Sequence, residues 1–300
     1  MRLFIAAAIY NGMQLGGPVY NRLSPVQQLH RYECKNLLES YHYFNNEKQC
    51  AWTRYGGERV FLDSGAFSAF TQGVEIDLPK YCDFIKRNAD IIEVASVLDA
   101  VGNPQRTYEN QKAMEAHGVA PLPCFHYGED ERYLERYVAN YEYITLGGMV
   151  PISTPDLLNW LDHLWEKYLT DSAGRPRVKV HGFGLTVIKL MKRYPWYSVD
   201  SSSWVQISSV GSVIHPDYGV ISMSKTSPNR KAEGRHFDTF SLPEQQALAQ
   251  EFARIGYTVE ELRTSYLARR CFCMWAYCEL NRRINSHGKI FVPEQEGLFQ

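Results

Sequence analysis

The chain has no apolar run long enough to cross a membrane. Its longest, LFIAAAIY near the amino terminus, falls far short of the roughly 20 residues that a spanning helix needs, and it reads as a first buried strand. Low-complexity tracts, Pro/Gly/Ser-rich linkers and internal repeats are also missing, so residues 1–300 read as one domain with no boundary to place. A strong net charge is lacking too. At -1 the balance excludes a uniformly basic nucleic-acid protein, although a local basic patch remains compatible with it. The seven cysteines are odd in number and mostly scattered, which excludes a disulfide framework and points to a reducing, cytoplasmic compartment. What is present, 45% hydrophobic and 22% charged residues, is ordinary for a globular protein.

Short β-prone runs alternate with amphipathic segments. RLFIAAAI, RVFLD, IIEVASVLD, PLPCFHY, YEYITLGG, RVKVHGFG, WYSVD and YGVISMS read as eight strands. Between most of them lie helical patterns such as LPKYCDFIKRN, NPQRTYENQKAMEAHG, DERYLERYVANY and TPDLLNWLDHLWEKYL. This order predicts an α/β fold of the (β/α)8 TIM-barrel type, with residues 241–285 adding C-terminal helices.

The unusual polar residues fall at the carboxyl ends of these runs. Asp63 closes VFLD, Asp99 closes ASVLD, His126 closes PCFH, Gly147 and Gly148 close YITLGG, His181 to Gly184 close VKVHGFG, and Asp200 closes YSVD. A single such residue is most simply a strand-end turn. Six together predict one shared rim, where barrel enzymes build their active sites.

Two carboxylates in different surroundings can divide the work of nucleophile and acid/base, as chemistry at an anomeric carbon demands. Asp63 is followed by the small Ser64 and Gly65 and then by Phe67 and Phe70, which are expected to wall the pocket. Asp200 is followed by three serines whose hydroxyls are expected to hold it ionised. Bare glycine backbone lets a flat heterocycle lie close and bond to amides. Phe67, Tyr127 and Trp204 are candidate stacking platforms, although aromatics beside strands are more often core.

At these residues the sequence resembles the tRNA-guanine transglycosylase superfamily. FLDSGAFSAF is similar to the family's DSGGFQ region, LGGM to its glycine pair, HGFG to its MGVG, and YSVDSSSW to the strand carrying its aspartate nucleophile. The likeness runs from about residue 59 to about residue 205. Within the superfamily, NPQRTYENQKAME, CFHYGED and LGGMVPIS look most like the phage-type DpdA proteins, which insert 7-deazaguanine bases into DNA. The resemblance implies that Asp200 is the nucleophile, Asp63 the general acid/base and Asp99 the carboxylate that reads the purine edge. Ser64, Gly65, Phe67, Gly147, Gly148, Met149 and Gly184 would line the base site. His181 stands where the family has methionine, and His126 near a family glutamine, so both depart from the pattern. The implied partners are DNA and a small 7-deazaguanine base, with no cofactor and no membrane. The same chemistry on tRNA also fits, as does a non-catalytic partner subunit. A glycoside hydrolase fits less well, because paired glycines suit a flat base.

Two segments stand apart. SKTSPNRKAEGRHF carries Lys225, Arg230, Lys231 and Arg235 against one acid, Glu233, and reads either as a solvated loop or as a nucleic-acid contact. Because it follows YGVISMS, it is expected on the Asp200 rim. CFCMWAYC, followed by His287, is the nearest match to the family's C-terminal zinc site. Cys271, Cys273 and Cys278 lie in an unbroken helical pattern, where positions two apart diverge, so they are expected to pack a helix and no metal is assigned.

Overall fold

Strand-forming runs in the first two thirds of the chain are short, apolar and separated by helices. The computed structural model describes residues 1–150, 152–185, 187–285 and 290–292. Strand β1 (Arg2–Ala6) leads through helix α1 (Pro25–Glu33) to β2 (Asn36–Ser40), and then through α2 (Glu47–Gly56) to β3 (Arg59–Asp63). Helices α3 (Ala66–Thr71) and α4 (Leu78–Arg87) precede β4 (Ile92–Ala95), and α5 (Pro104–Ala116) precedes β5 (Cys124–His126). Next come α6 (Glu131–Asn140), β6 (Tyr143–Gly147), α7 (Thr154–Leu164), β7 (Lys179–Gly182), α8 (Ile188–Arg193) and β8 (Ser198–Ser201).

Helix starts are written locally. Ser24, Asp77, Asn103 and Ser153 each accept a backbone N–H of the first turn, and a proline sits in the first two positions of each of these helices. Proline tolerates that place because its missing N–H has no intrahelical partner there.

The eight strands form one parallel sheet in the order β4-β3-β2-β1-β8-β7-β6-β5. Its end strands, β4 and β5, share no ladder. They approach through one parallel bridge, Ser96 with Leu122, in which Val97 N–H donates to Leu122 O at 2.9 Å and Leu122 N–H to Ala95 O at 2.8 Å. The architecture is therefore a curled, TIM-like α/β sheet rather than the closed barrel expected. Side chains alternate across it. Phe4, Ala6, Leu38, Phe61 and Leu122 form an inner cluster, while Leu3, Ile5, Leu37, Val60 and Leu62 join the larger core under the helices.

Two strand assignments change. NLLES, unmarked by any strand signal we read, is β2, with Leu37 and Leu38 facing opposite sides and a buried Glu39 beside them. YGVISMS does not supply the eighth strand. After β8, helix α9 (Ser203–Ser209) leads to β9 (Ser212–His215) and β10 (Gly219–Ser222), which pair antiparallel as a separate two-stranded ribbon. Helices α10 (Leu242–Ile255), α11 (Val259–Thr264) and α12 (Tyr266–Asn285) then complete the described chain, and α12 packs on α1, α9 and β9. Among the described residues no helix is long and apolar enough to cross a membrane.

Candidate active site

Asp63 is the last residue of β3, where the chain turns sharply through Ser64 and Gly65. Gly65 has φ of 76°, and a Cβ there would lie 2.4 Å from Ser40 Oγ, so both conformation and space demand glycine. The turn aims Gly65 N–H at Asp63 Oδ2 at 3.0 Å. Ser96 Oγ accepts from Ser64 N–H at 2.9 Å and donates to Asp63 Oδ1 at 3.3 Å. Burial pushes the Asp63 carboxyl up to about 7, with the negative charges of Asp99 and Asp200 adding to the rise and the Gly65 and Ser96 bonds opposing it.

Asp200 faces the same interior from β8, opposite Phe4 of β1, and is 5% exposed. Its Oδ1 accepts Gly184 N–H at 2.8 Å and lies 3.3 Å from His181 Nε2. The three serines do not hold it as expected. Ser201 is on the opposite face of β8, and its hydroxyl accepts Ser203 N–H at 3.2 Å. The bond to the carboxylate comes from glycine backbone on the neighbouring β7 turn.

His181 is fully buried, packed between Phe61 at 4.4 Å and Phe183 at 4.7 Å between ring centres. Burial lowers its pKa despite Asp200, which favours the neutral ring. Nδ1 lies 2.7 Å from Ser198 Oγ, which lies 2.5 Å from Tyr143 OH. Nδ1 can accept from the Ser198 hydroxyl, whereas Nε2, although close to Asp200 Oδ1, is buried without a hydrogen-bond partner.

Asp99 lies in the loop four residues past β4, not on the strand itself. Its Oδ2 is 3.3 Å from His126 Nε2, and its Oδ1 is buried without a hydrogen-bond partner. His126 Nδ1 is 3.2 Å from Glu129 Oε1, and Cys124 Sγ is 3.5 Å from His126 Nε2. Burial opposes a charged imidazole at His126, but the Cys124 sulfur and the Asp99 carboxylate outweigh it and raise the pKa. Asp99, Cys124 and His126 present ligand atoms that all lie within 4.8 Å of one another, a spacing able to hold a metal ion. Gly147, opposite His126 in the β5–β6 register, leaves this group room: a Cβ there would stand 2.9 Å from His126 Cδ2 and 3.1 Å from Cys124 Sγ. Gly148 follows at φ of 70°, and Met149 is buried beside it. Asp99 also borders a cleft of about 960 Å³ with Ala66, Phe70, Leu98, Arg106 and Asn110.

The expected aromatic walls are different. Phe67 and Phe70 are 69% and 67% exposed on α3, with Phe70 bordering the cleft beside Asp99, while Trp204 is wholly buried with Nε1 donating to Ala6 O at 2.9 Å. Tyr127 is partly exposed and meets Trp160. Lys225, Arg230, Lys231 and Arg235 are exposed, and among the described residues none is ion-paired. They follow β10 of the separate ribbon, so the reason for expecting them beside Asp200 falls away. Helix α12 runs unbroken through Cys271, Cys273 and Cys278, with the first two buried and Cys278 Sγ 3.4 Å from Cys34 Sγ. His287 lies outside the described residues.

Our reading of the sequence missed Ser96, Cys124, Glu129, Tyr143 and Ser198. A Cys-x-His pair on a predicted strand was the one usable signal, because residues two apart share a face. Compared with known proteins, the chain matches no protein-family model and no curated protein.

Proposed function

We propose that the protein is a transglycosylase that exchanges guanine in DNA for a 7-deazaguanine base through a covalent aspartyl-sugar intermediate. The observation that carries this reading is the approach of Asp63 and Asp200 in one interior, with unlike surroundings for the two carboxylates. Asp200 attacks the sugar C1′, the glycosidic C–N bond breaks, and its electron pair leaves with guanine. Asp63, pushed up to about 7, gives the departing base a proton near neutral pH. The incoming base then loses its ring proton to Asp63 and attacks C1′, expelling Asp200. Asp99 Oδ1, buried and without a hydrogen-bond partner, is an acceptor for a purine-edge N–H once a base displaces the groups that cover it, while Gly147 and Gly148 are kept free of side chains by His126, Cys124 and Tyr127 packed against them. A duplex hides C1′, so the nucleotide must be flipped or single-stranded.

Incubation of the protein with labelled guanine and either single-stranded DNA or tRNA tests the reading. Label entering DNA supports it, and label entering only tRNA moves the activity to that polymer. Label entering neither polymer, from folded protein, contradicts base exchange.

A further inference from the structure

We propose that Asp99, Cys124 and His126 bind a divalent transition-metal ion of the zinc class, with three protein ligands and one position left open. No metal was expected from the sequence, and the proposal does not rest on base exchange.

The strand geometry supplies two ligands at once. Cys124 and His126 are alternate residues of β5 and so project from the same face, while Phe125 between them stacks on Trp160 toward the helices. Asp99 arrives from the neighbouring β4 loop. Two of the three separations are those a metal imposes, and the third, Cys124 Sγ to the Asp99 carboxylate, lies within 4.8 Å. Zinc bonds of about 2.3 Å to sulfur and about 2.0–2.1 Å to nitrogen and oxygen, set at tetrahedral angles, place S and N about 3.5 Å apart and N and O about 3.3 Å apart. The observed values are 3.5 Å for Cys124 Sγ to His126 Nε2 and 3.3 Å for His126 Nε2 to Asp99 Oδ2.

The surroundings agree. Metal-bound histidines usually give their second ring N–H to a carboxylate, which fixes the ring and raises its basicity. Glu129 Oε1 fills that role at 3.2 Å from His126 Nδ1, and its other oxygen accepts the His126 backbone N–H at 3.0 Å. Cys124 is 1% exposed, so its sulfur is withheld from disulfide exchange, and Gly147 keeps the space over both ligands clear. Binding through Asp99 Oδ2 leaves Oδ1 free, so a metal and a base can share this carboxylate. Water or a ligand heteroatom would take the open position.

Cobalt(II) titration of the metal-stripped full chain tests the proposal, because a thiolate ligand gives a sulfur-to-cobalt charge-transfer band that histidine and carboxylate do not. One equivalent of cobalt, displaced by zinc, should produce that band. Cys124→Ser should abolish it, and Glu129→Gln, which leaves all three ligands in place, should weaken affinity by about tenfold to a hundredfold. Circular dichroism of each variant confirms that the fold is kept. Absence of a thiolate band in the wild-type chain overturns the site. A band that survives Cys124→Ser overturns it equally and sends the metal to other cysteines.

Discussion

His181 Nε2 stands 3.3 Å from Asp200 Oδ1, while Nδ1 of the same ring stands 2.7 Å from Ser198 Oγ. The imidazole thus joins the carboxylate to a hydroxyl on its own strand and, through it, to Tyr143. Burial favours the neutral ring, so His181 sits against Asp200 as a close polar contact, not as a titrating charge.

The first prediction follows from that link. His181→Phe keeps a ring among Phe4, Phe61 and Phe183 but removes both nitrogens. Leaving the buried Ser198 hydroxyl without its imidazole acceptor costs about 1–3 kcal/mol beside Asp200, so kcat for base exchange should fall by roughly fivefold to a hundredfold, with KM for the nucleic acid little changed. An unchanged kcat would leave His181 as packing alone.

Asp63 yields a stability prediction whose sign can be worked out. Its folded pKa of about 7 lies above the ordinary carboxylate value of 3.8, so between these pH values the folded state holds more protons than the unfolded state. Stability is then lost as pH rises from about 4 to about 7. Asp63→Asn removes the titration, so its Tm should match wild type near pH 4 and exceed it at pH 8, while base exchange is lost. Equal Tm differences at both pH values would show that Asp63 is not perturbed.

Arg31 and Glu58 form a fully buried pair at 2.5 Å that ties α1 to the start of β3, and Arg31 also donates to Met13 O and Cys34 O. Removing one partner strands the other charge in the core. Arg31→Met should therefore cost about 3–5 kcal/mol in a urea unfolding curve, and a loss below 1 kcal/mol would contradict the burial of the pair.

The exposed basic segment gives a prediction about the nucleic acid. If it engages phosphates, Arg230→Ala with Lys231→Ala should weaken DNA binding alike for all sequences and reduce the salt slope by about one unit for each phosphate no longer neutralised. An unaltered affinity and slope would make the segment a solvated loop.

The strands were legible where they were apolar and bounded by turns, as in RVFLD and YEYITLGG. β2 was not, because NLLES carries a buried glutamate whose stability depends on Ile9 N–H donating to it at 2.7 Å from a loop 30 residues earlier. YGVISMS was read as a strand correctly but placed in the wrong sheet, since periodicity reports a pleated surface and says nothing of its partner. At the site, Asp63 and Asp200 stood out because strand-end carboxylates are conspicuous. Their actual hydrogen-bond partners, Ser96 and Gly184 N–H, were invisible, because the fold brings them from 33 and 16 residues away.

The central claim is a covalent bond between Asp200 and a sugar C1′. Intact-mass measurement after brief reaction with a short guanine-containing DNA strand, quenched by denaturation, tests it most directly. The account predicts a species heavier than the protein by the oligonucleotide less guanine, with Asp200 as the modified residue, and no such species in Asp200→Asn. Base exchange at the wild-type rate by Asp200→Asn would contradict it.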